Sequence, residues 1–296
     1  MTSLPTGMFL KRSSDRGEKP VCFCQHCRDR ARAAGTHVDR AVEGYRRLYA
    51  LIDGLKTGAK SRPSDGVLVS VMRLFLKYPE ILAWERHWQE SKEEAAKLMF
   101  GAIKQVAPQA EVGWHIDHQQ TTWDAVYRAG MDYGDQAEYS DFLKLCVYHD
   151  VAGPRVRRWY LDRVAETVLS ELSLEQSLGL LYAVMGLDGS VEPSLEQMDE
   201  KGFSTGYIRH EVARAVEAAA GKSKIYAGIA FDVPFGPQGA NWKHFSSDPE
   251  QVRASVLAAI EAGADGVVAS REYDEMRIPN LEAFGKAVRE AESGGA

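Results

Sequence analysis

The sequence Glu-Ala-Gly-Ala-Asp-Gly-Val-Val-Ala-Ser-Arg, residues 261–271, contains the end of a helix, a tight turn and a short β-rich run. Glycine at position 263 is a typical helix exit, and the valine pair that follows is typical of a buried strand. Upstream, Asp248 has the features of an N-cap, with Pro249 at the first helical position and Gln251 three residues after the cap. The sequence therefore predicts a helix over 248–262 and a strand over 266–270.

The same alternation of strand and helix extends through the last two-thirds of the chain. Helices separated by buried strands in this order predict an α/β fold with a parallel sheet and right-handed crossovers. The first strand-to-helix turn has no glycine-rich phosphate loop, which favours a (β/α)8 TIM-barrel type over a doubly wound sheet. The predicted strands are 111–117, 142–149, 224–232 and 266–270, and the helices between them are 155–171, 173–185, 206–220 and 248–262.

Only four of the eight strands that a barrel needs are evident. The first 110 residues indicate mainly helices, over 28–34, 38–55 and one or two more within 67–106, bent near Pro79. We therefore expect strands five to eight of a barrel, a half barrel or fragment, within a single barrel-type domain over 1–296. Residues 1–20 are expected to be irregular and 293–296 to form a frayed tail.

Exposed strand edges in such a half barrel predict a partner, either a second copy of the chain or the missing N-terminal half. Composition also limits the classes of partner that the chain is expected to bind. With 36 basic and 42 acidic residues the formal charge is -6, which supplies no footprint for nucleic acid. No apolar stretch approaches the length of a membrane span, and the first twenty residues have no apolar leader core. We expect a cytoplasmic protein that binds neither nucleic acid nor membrane.

Three of the four cysteines, Cys22, Cys24 and Cys27, lie within six residues, and Cys146 is far away. This spacing is poor for a disulfide framework and suits a metal, with tetrahedral zinc as the expected ion if a fourth ligand arrives from elsewhere. The alternative is a set of reduced cysteines packed at the start of a helix. Cys146 lies inside a predicted strand, where a buried structural thiol is expected.

The cysteine cluster before a helix, followed by a parallel barrel half, resembles family 42 β-galactosidases of glycoside hydrolase clan A and the hypothetical glycosyl hydrolases related to them. Segments 226–234 and 270–276 are similar to strands seven and eight of the latter group. In that family three such cysteines follow the fourth strand and share a structural zinc with an upstream cysteine, which this chain lacks. The resemblance extends over about residues 22–290 and implies a carbohydrate ligand and a structural zinc, with no organic cofactor.

Barrel chemistry is located at the C-terminal ends of the strands, so polar residues there are the candidate site. A glycosidase needs two carboxyl groups across the scissile bond, and the resemblance implies Asp232 as the nucleophile, while the acid/base position on strand four is not visible. The candidate catalytic carboxyl groups are Asp232, Glu275, Asp150 and Asp117. The candidate substrate-binding residues are His115, His118, Tyr148, His149, Trp123, Trp242, Arg271 and Tyr273.

Two other functions fit the same sequence. Lys144 is expected to face the barrel interior, where it would form a Schiff base as in a lyase or aldolase, or else be ion-paired. The third hypothesis is a non-catalytic, zinc-stapled binding module. As an alternative to a functional role, each histidine can be a structural side chain held by hydrogen bonds. Arg271 and Glu275 can likewise form an ion pair at the barrel rim.

Overall fold

A computed structural model describes residues 21–56, 64–122, 125–235, 243–244, 247–271 and 274–294. The chain divides into two compact units, which we call the helical unit (1–95 and 158–178) and the sheet unit (96–157 and 179–296). The sequence predicts one barrel-type domain over 1–296, and all four predicted strands fall in the sheet unit. The segment 1–20, expected to be irregular, lies outside the described residues.

The front of the chain is helical, as the sequence predicts. Helix α1 is Gln25–Ala33, α2 is Val38–Lys56, α3 is Val67–Lys77 and α4 is Glu80–Val106. The expected bend near Pro79 is a complete break, because proline disfavours helical backbone at the residue before it. Tyr78 accordingly has φ -130° and ψ 67°.

Close helix packing forms the core of the helical unit. A Cβ atom at Gly44 of α2 would lie 2.8 Å from the Cγ1 atom of Ile81, so only glycine allows these two backbones to approach. Tyr45, one residue further, is buried and donates a hydrogen bond of 2.5 Å to Glu85 Oε1. Phe23 packs its ring against the rings of Tyr45 and Trp84, at centroid distances of 5.6 and 4.6 Å. This contact attaches the cysteine segment to the core.

Four parallel strands make the main sheet of the sheet unit: β1 Gly113–Ile116, β2 Phe142–Cys146, β3 Lys224–Ile229 and β6 Gly266–Ala269. They confirm the four predicted strands. Their spatial order, β1-β2-β3-β6, follows the chain without reversal. A doubly wound sheet reverses its order at a switch point, whereas neighbouring strands of a barrel follow the chain. The parallel sheet and its helices establish a mixed α/β fold. The barrel stays a prediction, because four strands do not close one.

Shorter elements complete the sheet unit. Strands β4 Pro234–Phe235 and β5 Lys243–His244 form an antiparallel pair. The remaining helices, from α5 to α12, are His118–Thr121, Ala125–Gly130, Tyr133–Ala137, Ala152–Val156, Leu174–Met185, Thr205–Ala219, Pro249–Glu261 and Ile278–Gly294. Helix α11 has the predicted capping box of Asp248 and Gln251, with proline at its first turn. No helix among the described residues has both the length and the apolarity that crossing a membrane requires.

The two faces of the sheet differ as a period of two predicts. Leu143, Leu145 and Val147 are fully buried. Helices α10 and α11 pack against strand β3. The opposite face presents Lys144 and Cys146 of β2, and we call it the open face. Leu143 and Leu145 of β2 therefore lie on the face opposite to Lys144 and Cys146.

Several strand ends and helix bounds differ from expectation, among them the end of strand β3 at Ile229 in place of 232. Strand β2 stops at Cys146, because the His149 N–H turns back to the Val147 carbonyl, 2.9 Å away, and a 3-10 turn follows over His149–Val151. The expected helix over 155–171 is instead the short α8 followed by a π-helix over Arg157–Ala165. The final helix α12 extends to Gly294, so two residues of the expected frayed tail are helical, and 295–296 lie outside the described residues.

Candidate functional site

Asp150 and Asp232, at the carboxyl ends of neighbouring strands β2 and β3, are connected through Ser247. The Ser247 hydroxyl donates to Asp150 Oδ2 at 3.3 Å, and its oxygen accepts from the Asp232 backbone N–H at 3.1 Å. All three residues are buried, with Asp150 8% and Asp232 5% exposed. Ser247 thus joins the Asp150 carboxyl to the backbone of Asp232, two of the four candidate acidic residues.

The carboxylate of Asp232 is held by residues from helix α12 and the segment before it. It accepts from the Arg277 backbone N–H at 3.0 Å, from Arg277 Nε at 2.9 Å and from Asn280 Nδ2 at 3.0 Å. Its backbone has φ 57°, a left-handed conformation that is uncommon for residues other than glycine, asparagine and aspartate. Since every partner of this carboxylate is an N–H donor and one is a guanidinium, the Asp232 side chain is fixed as a hydrogen-bond acceptor.

Burial gives Asp150 the opposite character. Removal from water disfavours its charged form and raises the pKa of its carboxyl to about 7, against the opposing effects of the nearby Arg155 and of the hydrogen bond from Ser247. Its other oxygen accepts from the Val151 N–H at 3.0 Å. This carboxyl therefore keeps its proton to a much higher pH than an exposed aspartate does.

The other two candidate carboxyl groups contact different residues. Glu275 forms an ion pair with Arg271, which matches the alternative reading of these two residues as a rim pair. Asp117 acts electrostatically on His115 and Cys146 of the open face. Three predicted substrate-binding residues, Trp123, Trp242 and Tyr273, lie outside the described residues.

His118 and His149 are buried and hydrogen-bonded, as expected for structural histidines. Burial lowers the pKa of His149 to about 4. Its Nε2 contacts Ser255 Oγ at 3.1 Å, and since that hydroxyl donates to the Gln251 carbonyl, the His149 nitrogen is the donor. His118 contacts Thr122 Oγ1 at 2.8 Å through Nδ1, and burial lowers its pKa well below the ordinary value. Both rings are therefore neutral near pH 7.

The open face carries a more accessible polar cluster, made of His115, Lys144, Cys146 and Tyr148. Lys144 Nζ donates to the Tyr148 hydroxyl at 2.8 Å, and Cys146 Sγ lies 2.8 Å from His115 Nε2. His115 is exposed, Lys144 and Tyr148 are half-buried and Cys146 is buried. Burial raises the pKa of the Cys146 thiol to about 11, so this sulfur stays protonated near neutral pH.

Sequence reasoning missed the residues that organise these groups: Ser247, Arg277, Asn280 and Arg155. Arg277 and Asn280 hold the Asp232 carboxylate. Arg277 lies in the turn before α12 and Asn280 in α12 itself, a helix that the sequence does not predict. Pro279 in its first turn is the signal that would have indicated it. Ser247 precedes the recognised N-cap by one residue, but nothing local in the sequence indicates its contact with Asp150.

The cysteine cluster of the helical unit is compact. Ligand atoms of Cys22, Cys24 and Cys27 all lie within 4.8 Å of one another, and the Cys24 and Cys27 sulfurs are 3.6 Å apart. Two thiolates on one tetrahedral zinc, each about 2.3 Å from the ion, are separated by roughly 3.8 Å, whereas a disulfide bond is about 2.05 Å long. The three thiols therefore fit one face of a metal tetrahedron.

Local backbone groups position this cluster at the start of α1. Cys24 is the N-cap residue, and the Arg28 side chain fixes the loop by donating to the Phe23 carbonyl at 2.8 Å. Hydrogen bonding from the Cys27 backbone N–H lowers the pKa of Cys24, whereas burial raises the pKa of Cys27 to about 12. Among the described residues no fourth histidine, cysteine, aspartate or glutamate joins the three.

Comparison with protein-family models, curated proteins and solved structures finds no match for this chain. The resemblance to clan A glycoside hydrolases therefore stays a prediction, and the site must be interpreted from its own geometry.

Proposed function

We propose that the sheet unit is a carbohydrate-active module of glycoside hydrolase type, with Asp150 and Asp232 as its acid and its ionised carboxylate. Glycoside cleavage requires one carboxyl that carries a proton and one that is charged. Pairs of acidic groups whose surroundings favour opposite protonation states are the usual sign of this division of roles. The observation that carries the proposal is the arrangement around Ser247. Its hydroxyl donates to the buried Asp150 carboxyl, and its carbonyl accepts from Arg277 and Asn280, the two residues that hold the Asp232 carboxylate.

In this proposal the protonated Asp150 assists the leaving oxygen, and Asp232 faces the developing positive charge of the sugar ring. The carboxyl ends of β2 and β3 bring the two groups to one edge of the sheet, where barrel enzymes place their chemistry. The exposed His115 and the half-buried Tyr148 on the open face supply hydrogen bonds and a ring surface for sugar hydroxyl groups.

Chromogenic glycosides and a thermal-shift screen with sugars test this function. We expect stabilisation by at least one sugar and turnover whose kcat/KM decreases as pH rises through about 7, because Asp150 then loses its proton. Asp150→Asn and Asp232→Asn should each reduce turnover by roughly 10²-fold or more. Glu217→Ala, at an exposed position of the same unit, is the control with unchanged activity. No sugar stabilisation and no turnover of any glycoside would refute the proposal.

We also propose that Cys22, Cys24 and Cys27 hold a structural zinc ion. Their sulfur spacing and the thiolate donor set fit this metal, and zinc bound there would fasten the start of α1 to the core of the helical unit. These three cysteines would hold the ion, whose role would be structural and not catalytic.

Metal analysis after purification without chelator is expected to give about one zinc per chain. Cys24→Ser should lower the zinc content severalfold and reduce the thermal midpoint, because thiolate ligation contributes to folding. Cys146→Ala changes a cysteine outside the cluster and should leave the zinc content unchanged. Zinc that persists in the Cys24→Ser protein, or is absent from the unchanged protein, would contradict this site.

A further inference from the structure

Lys144 occupies the middle of strand β2 on the open face, above a glycine of the neighbouring strand. A Cβ atom at Gly228 would lie 2.4 Å from Lys144 Cε and 2.6 Å from Nζ. The lysine chain therefore lies over the one position of β3 at which no side chain blocks it. Its amine ends on the Tyr148 hydroxyl, 2.8 Å away and 4.9 Å from the ring centroid.

In the described part of the chain, the surroundings of this amine hold no carboxylate partner. Among the described residues none lies within ion-pair distance of Lys144, and the groups that face it are Tyr148, Cys146 and His115. Burial lowers the pKa of Lys144, with a weaker opposing effect of Cys146. A half-buried lysine without a counter-ion is expensive to maintain for structure alone and is what a nucleophilic amine requires.

Arg155 provides a second cation beside the same tyrosine. Its guanidinium carbon lies 5.8 Å from the centre of the Tyr148 ring. Within the described part of the chain no carboxylate comes within ion-pair distance of this guanidinium, although Asp150 acts on it electrostatically. Arginine binds carboxylates in a bidentate manner, so Arg155 has the capacity to bind an anionic group beside the same tyrosine ring that the Lys144 amine contacts.

We propose that Lys144 forms an imine with a small 2-oxo acid, whose carboxylate binds Arg155. The neutral amine attacks the keto carbon, and one N–H proton passes through the Tyr148 hydroxyl to the keto oxygen, which gives a carbinolamine. The hydroxyl on the carbinolamine carbon then leaves as water with the second N–H proton, and the C=N bond forms. No oxidant or reductant is consumed. This activity goes beyond carbohydrate chemistry and does not depend on it.

Cys146 is not the nucleophile in this site. Its thiol stays protonated near neutral pH because of burial, and its hydrogen bond with His115 occupies the sulfur. The Lys144 amine, in contrast, has a hydroxyl beside it that exchanges protons with both the amine and the keto oxygen.

Reductive trapping of the full chain with pyruvate and borohydride tests the proposal. Intact mass should show one added carboxyethyl group, and peptide mapping should place it on Lys144. We expect Lys144 to be labelled at pH 7 at least roughly tenfold faster than the exposed Lys201, which serves as a reference within the same chain. Equal labelling of the two lysines overturns the proposal, and this comparison does not depend on any variant folding.

Three variants separate the roles. Lys144→Met, checked for folding by circular dichroism, should lose the adduct, and retention at full yield overturns the assignment. Tyr148→Phe should slow trapping by roughly 10²-fold. Arg155→Gln should remove the preference for pyruvate over acetone, an uncharged ketone, while acetone trapping continues. An unchanged preference overturns the role of Arg155, and trapping of pyruvate without any glycosidase activity separates this site from the carbohydrate proposal.

Discussion

Asp150→Asn is expected to raise the free energy of unfolding by about 4 kcal/mol at pH 8 and by less than about 1 kcal/mol at pH 4. The reason is the buried carboxyl, whose pKa rises from 3.8 to about 7 on folding. Asparagine keeps the shape and the acceptor for the Val151 N–H, and its amide N–H₂ can donate to Ser247, but it carries no charge.

The sign follows from proton binding in the two states. Below pH 3.8 the carboxyl is protonated in both states, and Asp150 has no electrostatic cost. As pH rises from about 4 to about 7 the folded state holds a proton that the unfolded state has released, so stability decreases with pH. Above that window both states are ionised and the cost is constant, so the advantage of asparagine is largest there.

Urea unfolding of both proteins at pH 4 and pH 8 measures this difference. Asp274→Asn makes the same chemical change at an exposed position and should leave the free energy of unfolding within about 0.5 kcal/mol at both pH values. A gain for Asp150→Asn that is equal at the two pH values would contradict a raised pKa. If the variant is more stable but inactive toward glycosides, Asp150 belongs to a catalytic site that sacrifices stability.

Local signals in the sequence were sufficient for the strands and for the capped helix α11. The predicted strand that begins at residue 142 and the Asp248-Pro249 capping signal each depend on neighbours a few residues apart, and the structure has both. The predicted C-terminal bounds of the strands over 142–149 and 224–232 were wrong, because these strands end at Cys146 and Ile229. Hydrogen bonds to the neighbouring strands decide where a strand ends. A local sequence pattern does not show those bonds, because the neighbouring strands are distant in the sequence.

The candidate site was predictable only in part for the same reason. The sequence places acidic residues at strand ends, and two of them, Asp150 and Asp232, share a network. What distinguishes them is their partners, because Arg277 is 45 residues from Asp232 and Ser247 is 97 residues from Asp150. Burial and long-range hydrogen bonds, which set the protonation state of a carboxyl, depend on tertiary packing.

Glu211 of helix α10 shows how far a charge on a helix can depart from the solvated face that sequence patterns suggest. It is 1% exposed and accepts from the Tyr133 hydroxyl at 2.5 Å and from Arg128 Nη1 at 3.1 Å. Arg214 forms a second ion pair with it. The carboxylate therefore connects α10 with α6 and α7, which precede strand β2.

Glu211→Ala is expected to lower the free energy of unfolding by about 3–5 kcal/mol, because two guanidinium groups and a tyrosine hydroxyl lose their buried acceptor. Glu217→Ala is the matched control: it lies on the same helix and is exposed, so its cost should stay within about 0.5 kcal/mol. Glu211→Gln keeps the size but replaces one acceptor by an N–H₂ that faces arginine, so most of the loss should remain. Chemical denaturation near pH 7 measures all three, and a cost below about 1 kcal/mol for Glu211→Ala would show that Arg128, Arg214 and Tyr133 find water or other acceptors without it.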